Sequence, residues 1–291
     1  MDKLVRGITS NGRIRVFGAL TTGVVQKARE IHNTTPVATA AFGRTLTAAL
    51  MMGTMLKGEK ENVSLQFKGD GPIATVLAVG TPQGTVKGYV GNNFVALPLK
   101  ENGKLDVGGA IGNGYLTVIK DLRLKEPYIG KVELQTGEIA EDLTYYFATS
   151  EQTPSVVALG VLVDCDFSVK AAGGYIIQLM PEATEEDIVK LEENLAGIKS
   201  VTALIEDGMG IEEILNMVMD GFEIKITDEI TPEYKCDCNK ERIERAIISL
   251  GRQEIEDILK KEKKAEVTCY FCNKEYKFEE SELQEILSKN E

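Results

Sequence analysis

Apolar and polar residues alternate along much of the segment 1–180, which is the pattern of half-buried β-strands. The alternation predicts strands at Gly12–Phe17, Val63–Phe67 and Ala74–Val79. Gly69–Pro72 lies between the last two strands. It loosely begins a dinucleotide-binding pattern, but the flanking strands favour a hairpin turn. These patterns predict mostly antiparallel sheets with helices, and therefore an α+β fold without regular βαβ alternation.

Two other stretches of the same region have distinct patterns. Residues 36–56 are almost entirely apolar or small, begin with proline, and predict a buried helix. Arg44 interrupts this stretch, which argues against a membrane span.

Between Val161 and Val169, Cys165 falls on the apolar face of an alternating run, so we expect it to be a core thiol. Residues 171–174 then predict a turn into the next strand.

The period becomes helical after Pro181. Two apolar stripes follow: Ile188, Leu191, Leu195 and Ile198, then Ile211, Ile214, Leu215 and Val218. Thr184 and Asp187 have the spacing of a capping box before the first stripe. Residues 222–226 predict a short strand, and residues 227–235 a polar connector. We therefore expect an α+β domain at 1–180, a helical linker at 181–235 and a small domain at 236–291.

The composition limits the possible functions. Apolar residues make up 43% of the chain and charged residues 27%, which is typical of a globular protein. The net charge of −12 disfavours binding to nucleic acid or to an anionic membrane. His32 is the single histidine, and its place in the sequence predicts a polar residue at a helix end. Because the sequence has no recognisable nucleophile, base or cofactor motif, we expect no enzyme. The competing hypothesis is a zinc-stabilised enzyme with its catalytic residues within 1–180. Without a recognisable signal peptide, the chain is expected to be cytoplasmic, where thiols are normally reduced.

Four of the five cysteines form two pairs within the C-terminal segment 236–291. Cys236 and Cys238 form a C-x-C pair, and Cys269 and Cys272 form a C-x-x-C pair. The segment between the pairs has a helical pattern, and the second pair lies in a sequence typical of a zinc-knuckle hairpin. Four thiolates match a closed tetrahedral zinc site. We predict one bound zinc ion, which would contribute roughly 10–16 kcal/mol to the folding of this short unit.

Three roles for the zinc site are compatible with this spacing. It could stabilise a structural adaptor, belong to a nucleic-acid-binding module, or act as a redox switch, because thiolate is the form that oxidants attack. Residues 236–291 carry 11 basic and 14 acidic side chains, which disfavours the nucleic-acid role. Spacing alone does not separate the structural role from the redox role.

The cysteine pattern resembles the C-terminal zinc centre of the redox-regulated thirty-three-kilodalton heat-shock chaperones. Further segments within residues 1–180 resemble that family's signatures in the same order: Leu124–Tyr128, Gly137–Phe147, Ser150–Ser155 and Ala171–Leu179. The similarity extends over essentially the whole chain. One departure is Arg123, where family members often carry glycine, and the sequence suggests no functional consequence.

The resemblance implies an ATP-independent holdase that is activated by oxidation. The four paired cysteines would hold one zinc ion in the reduced state. Oxidation would form the disulfides Cys236–Cys238 and Cys269–Cys272 and release zinc. The family pattern supplies this pairing, because four cysteines alone permit three. The active form is expected to be a homodimer that holds unfolding or oxidatively damaged proteins, with residues 1–180 as the domain for clients and dimerisation.

The linker is the expected latch of this switch. Its two apolar stripes need a partner surface while the protein is inactive. If oxidation unfolds residues 236–291 and frees the linker, contiguous apolar area would become available to clients.

Overall fold

A computed structural model describes residues 1–288 of the 291-residue chain. The chain divides into two compact units, Met1–Lys235 and Cys236–Glu291. Helices and mainly antiparallel sheets occur together, which confirms the predicted α+β class. Residues 181–235 belong to the first unit.

The strands alternate with helices in no regular order along the described chain. The strands are β1 Lys3–Thr9, β2 Ile14–Leu20, β3 Asn62–Gly69, β4 Thr75–Gly80, β5 Thr85–Val90, β6 Gly114–Asp121, β7 Tyr128–Glu133, β8 Ser155–Val163, β9 Val169–Leu179, β10 Ile224–Ile230, β11 Glu233–Tyr234, β12 Lys264–Thr268 and β13 Glu275–Glu279. The helices are α1 Thr22–His32, α2 Pro36–Gly53, α3 Val107–Ile111, α4 Ala140–Thr149, α5 Glu185–Ala196, α6 Val201–Glu206, α7 Ile211–Val218, α8 Lys240–Ile248, α9 Arg252–Lys261 and α10 Glu280–Ser288.

The first unit contains two sheets that share one closing segment. The five-stranded sheet has the order β10-β1-β2-β9-β8, and all of its neighbours are antiparallel. The six-stranded sheet has the order β11-β5-β4-β3-β6-β7. Its β11 pairs with β5 in parallel, whereas its other neighbours are antiparallel. Residues 224–230 therefore form an edge strand of the five-stranded sheet, and residues 233–234 form an edge strand of the six-stranded sheet, shortly before Cys236.

Helix α2 is buried between strands of both sheets, as its apolar sequence predicts. Glycine residues allow this helix and its neighbours to approach each other closely. A Cβ atom on Gly80 would lie 1.9 Å from the carbonyl oxygen of Ala49, and one on Gly43 would lie 2.6 Å from a methyl group of Val25. Met51 and Met52 are buried in the same core. The helix thus stabilises the first unit from its centre.

Helices α5 to α7 cover the opposite face of the five-stranded sheet. Ile211, Ile214 and Leu215 of α7 are fully buried in a cluster that includes Val5 and Val16 of the sheet. The predicted capping box is present at the start of α5, where Thr184 and Asp187 bond each other's backbone amides. In this structure the second apolar stripe is therefore buried, and the first is partly covered, with Leu191 buried and Leu195 and Ile198 partly buried. One face of the sheet is covered as well.

The prediction for Cys165 is wrong. Strand β8 ends at Val163 and β9 begins at Val169, so Cys165 lies in the intervening turn and is exposed. The Asp164 carboxylate accepts a hydrogen bond from the Cys165 amide at 2.7 Å, and Asp166 accepts one from the Ser168 amide at 2.9 Å. These local bonds favour a turn although the side chains alternate in polarity.

Two boundary predictions also need correction. Residues 171–174 continue β9, where Gly173 and Gly174 permit close contact with neighbouring strands rather than a turn. The expected connector at 227–235 instead contains the end of β10 and all of β11. Arg123 has a φ of 57°, a left-handed conformation that favours glycine, so the structure accounts for glycine at this position in the resembled family but gives no reason for arginine.

Candidate metal centre

The second unit brings its cysteines together from two separate segments. Cys236 and Cys238 lie in the irregular segment between β11 and α8. The first turn of α8 is capped by the Asn239 side chain, which accepts a hydrogen bond from the Arg242 amide at 2.8 Å. Cys269 and Cys272 lie in the turn between β12 and β13. The long gap between the cysteine pairs is occupied by α8, α9 and β12.

The β12–β13 turn has defined hydrogen bonds. The amides of Cys272 and Asn273 donate to the carbonyl oxygen of Cys269 at 3.3 and 2.8 Å, and the Cys269 amide donates to the Lys274 carbonyl at 3.0 Å. Asn273 adopts a left-handed conformation with φ 55°, which asparagine tolerates better than most residues. This compact turn holds the two cysteines of the pair close together.

The four sulfur atoms form one group. All lie within 4.8 Å of one another, and the Sγ–Sγ distances are 3.7 Å for Cys236 and Cys269 and 3.3 Å for Cys238 and Cys272. Cys269 is buried and the other three cysteines are partly buried. The four residues can therefore offer a tetrahedral set of sulfur ligands to one metal ion.

A small apolar core supports this group. Cys269 shares the core with buried side chains from the surrounding helices and hairpin: Ile247, Ile255, Ala265, Tyr276, Phe278, Leu283 and Ile286. The set is modest for an independent unit, so a metal would be a substantial addition to its stability.

The electrostatics of the thiols also favour a cation. Burial raises the pKa of Cys236, and it raises the pKa of Cys272 to about 11. Burial opposes ionisation of Cys238 as well, but hydrogen bonds from Tyr276 and the other thiols lower its pKa to about 7. Four thiolates in such a group repel one another, so a bound cation would compensate their charge.

Tyr276 is a supporting residue that the sequence reasoning missed. Its hydroxyl donates a hydrogen bond to Cys238 Sγ at 3.1 Å. Its ring is buried, as is that of Phe278 two residues later on β13. The alternation of Tyr276 and Phe278 after the C-x-x-C pair is the signal that could have indicated an inward-facing tyrosine.

The other sequence candidates lie outside this group. Cys165 is in the exposed β8–β9 turn of the first unit. His32 ends α1, as predicted, but it is buried, with its Nε2 atom 2.9 Å from the hydroxyl of Tyr234. Gly69 ends β3, and residues 70–72 lie in the predicted turn before the antiparallel β4. Within residues 1–288, the four-cysteine cluster is the group of potential ligands that converges on a metal site.

Comparison with known proteins identifies the family. The model of the family described as "Hsp33 protein" matches residues 2–279. The chain belongs to the Hsp33 family. The 33 kDa chaperonin of Clostridium beijerinckii is 50% identical over 288 residues, which cover 99% of this chain and 98% of the relative. That of Thermoanaerobacter sp. X514 is 52% identical over 287 residues, with 98% of both chains covered.

A solved structure supports the same assignment. The crystal structure of the 33 kDa chaperonin of Thermotoga maritima, a heat shock protein 33 homologue, superposes with a TM-score of 0.92 at 40% identity. The match covers 99% of this chain and 98% of the Thermotoga chain. Membership of the Hsp33 family assigns the chain a chaperone function, as the resemblance implied.

Among the helices of residues 1–288, none is both long and apolar enough to cross a membrane.

Proposed function

We propose that this Hsp33 protein is a redox-regulated, ATP-independent holdase. Reduced Cys236, Cys238, Cys269 and Cys272 hold one zinc ion, and their oxidation activates the chaperone. The observation that carries the proposal is the convergence of these four sulfur atoms in a chain of a chaperone family. Clients are thermally unfolding or oxidatively damaged proteins in the cytoplasm.

The sulfur geometry fits zinc. A tetrahedron with zinc–sulfur bonds of about 2.3 Å has sulfur–sulfur edges of about 3.8 Å. The Cys236–Cys269 distance of 3.7 Å matches this value, and the Cys238–Cys272 distance of 3.3 Å requires only a small adjustment. Zinc supplies positive charge that keeps the four cysteines as thiolates. An all-sulfur ligand set is also the one that oxidants attack most readily.

The cysteines then change from ligands to disulfides. With peroxide as oxidant, two thiolates lose two electrons and form one sulfur–sulfur bond, while one peroxide and two protons become two water molecules. Two such reactions form Cys236–Cys238 and Cys269–Cys272, so no thiolate ligand remains. All four sulfurs lie within 4.8 Å, so each pairing is accessible, and the family resemblance supports this one.

The loss of zinc is coupled to the release of residues 181–235. The second unit depends on its metal because its own apolar core is small. The covered stripes of α5 to α7 and the covered face of the five-stranded sheet supply the apolar area that a holdase needs. Unfolding from Cys236 backwards would expose both surfaces. The active species is a homodimer, and the acidic chain does not bind nucleic acid or membranes.

Light scattering from an aggregating client tests this function. We expect the peroxide-treated protein to suppress aggregation and release one zinc ion per chain, whereas the reduced protein does neither. Cys269→Ser should bind zinc weakly and act partly without oxidant, because one ligand is missing. Cys165→Ser is the matched control, since Cys165 is exposed in the first unit, and it should behave like the wild type.

Two results would contradict the proposal. If the oxidised protein fails to suppress aggregation, it is not an oxidation-activated holdase. If peroxide leaves zinc bound and client aggregation unchanged, the cysteines form a static structural site, as in an adaptor. Zinc release is followed with a colorimetric chelator in the same samples.

A further inference from the structure

Strand β10 covers the edge of β1 but contributes few buried side chains. The two strands pair antiparallel over residues 4–9 of β1, with one irregularity between Arg6 and Gly7. All residues of β10 are exposed or only partly buried. Ile224 and Ile230 are the two that pack at the margins of the apolar clusters. Backbone pairing therefore contributes most of the contact between β10 and β1.

The backbones of the two strands approach closely. A Cβ atom on Gly7 would lie 2.8 Å from the carbonyl oxygen of Lys225. The Ser10 amide donates to the Glu223 carbonyl at 2.8 Å, and the Thr227 hydroxyl donates to the Arg6 carbonyl at 3.2 Å. Because antiparallel strands alternate their bonding, the Ser10 bond indicates that the amides of Leu4, Arg6 and Ile8 also face β10.

The charges at this edge come from β1, from β10 and from helix α7. Lys3 forms ion pairs with Glu212 and, at 2.9 Å, with Glu229, while Arg6 pairs with Asp228 at 2.6 Å. All three acidic partners lie in residues 181–235. If that segment leaves, Lys3 and Arg6 lose these partners, and the edge of β1 becomes basic in a protein of net charge −12.

We propose that β1 is a client-binding edge in the active protein. Once β10 has left, an extended segment of an unfolding client pairs antiparallel with residues 4–9 through backbone hydrogen bonds. The preferred segment places apolar residues where Ile224 and Ile230 lie and an acidic residue opposite Arg6. This inference rests on the proposed function, because oxidation must first release residues 181–235.

Backbone pairing at a sheet edge suits a non-specific chaperone. An uncovered edge presents unpaired amide and carbonyl groups that accept any extended chain, and side chains add only a preference. In the inactive protein β10 covers the edge of β1 and becomes the edge of the sheet itself. Charged residues on such an edge strand are a common device against uncontrolled pairing. The apolar face of the sheet, uncovered at the same time, would contact alternate side chains of the same client segment.

Residue-resolved amide exchange on the full-length protein tests the proposal. The probe client is an unfolded model protein without thiols, added to zinc-free, oxidised protein. Exchange at Leu4, Arg6 and Ile8 should accelerate at least about tenfold on oxidation and slow about tenfold again when client is bound. The amides of Val5 and Gly7, which alternate towards β2, are the internal control and should remain protected throughout.

A peptide of residues 223–231 provides a second measurement, by fluorescence anisotropy. It should bind the oxidised protein, fail to bind the reduced protein and compete with client. The irregularity opposite Arg6 shifts the alternation of β10 by one residue, so the amides of both Lys225 and Ile230 face β1. N-methylation of these two amides should weaken binding about tenfold or more because two hydrogen bonds are lost. N-methylation at Ile224 and Glu229, which alternate away from β1, is the matched control and should have little effect.

The outcomes separate this proposal from the proposed function. If client is held but Leu4, Arg6 and Ile8 gain no protection, the edge-pairing proposal is wrong and the holdase function stands. The proposal is also wrong if these amides stay protected after oxidation. Concentration-dependent protection without client would mean that a second copy of the chain occupies the edge, which overturns it too. If the oxidised protein holds no client, the proposed function itself fails.

Discussion

The hydroxyl of Tyr234 lies 2.9 Å from Nε2 of His32, although 202 positions separate the two residues in the chain. The same hydroxyl donates to the Gly88 carbonyl at 2.9 Å and accepts from the Gly88 amide at 3.3 Å. Tyr234 is only 2% exposed and precedes the first zinc-ligand candidate, Cys236, by two residues. The segment that leads into the second unit is therefore anchored in the core of the first.

Replacing this anchor should make the protein easier to activate. Tyr234→Phe keeps the ring but removes the hydroxyl, and leaving its buried partners without this bond costs about 1–3 kcal/mol. We expect faster amide exchange at residues 233–235 in the reduced protein and faster activation by peroxide. Exchange mass spectrometry and time-resolved client aggregation measure the two effects.

Tyr145→Phe is the matched control for Tyr234→Phe. Tyr145 lies on α4 in the same unit, and its side chain is 39% exposed, so the loss of its hydroxyl should change neither rate. Equal activation rates for Tyr234→Phe and the wild type would show that the anchor does not limit the release of the linker.

The packing of α7 on β2 offers a route to activity without oxidation. A Cβ atom on Gly18 would lie 2.7 Å from Cγ1 of Ile211. Gly18→Val should therefore displace α7, at a cost of about 1–3 kcal/mol for overpacking. We expect the reduced, zinc-loaded variant to bind a hydrophobic dye and to suppress client aggregation partly.

Gly197→Val tests whether the effect of Gly18→Val comes from this contact. No atom outside its neighbours lies within 4 Å of a Cβ built on Gly197, so the larger side chain meets open space. This variant should remain inactive when reduced. Full inactivity of reduced Gly18→Val with normal zinc content would contradict the idea that α7 is part of the latch.

The sequence pattern predicted elements whose signals are local. The apolar run of α2 and the Thr184–Asp187 capping box are examples, because neighbouring residues determine both. The pairing of β10 with β1 was missed because β10 is an exposed edge with a polar sequence, and its partner strand lies at the opposite end of the first unit's sequence. Cys165 was misplaced because a turn can alternate in polarity as a strand does, and local Asp bonds favoured the turn.

The candidate metal site was easier to predict from the sequence than the surfaces that the linker, residues 181–235, covers. Each cysteine pair is held by a short segment, so spacing alone indicated that the pairs would converge. The alternation around Tyr276 could have indicated a buried ring but not its partner, and Tyr234 gave no signal at all. Tertiary contacts with residues 38 and 202 positions away fix the two partners.

The capping box of α5 predicts a pH-dependent latch. The hydrogen bond from the Thr184 amide, with help from the Thr184 hydroxyl and Arg13, lowers the pKa of Asp187 below its ordinary value. The carboxylate's stabilising effect is therefore complete above its unfolded pKa of about 3.9 and is lost as pH falls through the folded pKa.

Asp187→Asn should remove this pH dependence. We expect the variant to lose about 1 kcal/mol of stability in α5 at pH 7, the net value of one hydrogen bond, and the difference from wild type to shrink below about pH 4. Amide exchange within α5 measures the difference, and comparing the two proteins at each pH cancels the effect of acid on the cysteine site. Glu186→Gln, a change in the same helical turn, is the control. A difference that does not vary with pH would contradict the role assigned to the carboxylate.

The hydrogen bond from Tyr276 to Cys238 predicts how the site responds to oxidants. Tyr276→Phe keeps the buried ring but removes a donor at 3.1 Å from the sulfur. Such bonds orient metal ligands and stabilise thiolate charge, so we expect zinc affinity to fall about tenfold. The sulfur, no longer sharing its charge with the hydroxyl, should also react faster with peroxide. Competition with a chelator measures the affinity, and the initial rate of zinc release under peroxide measures the reactivity.

Tyr270→Phe is the control, since Tyr270 lies between the paired cysteines with a 78% exposed side chain. If Tyr276→Phe matches this control in both measurements, the hydroxyl does not tune the cysteine site, and its 3.1 Å contact serves only to pack the hairpin.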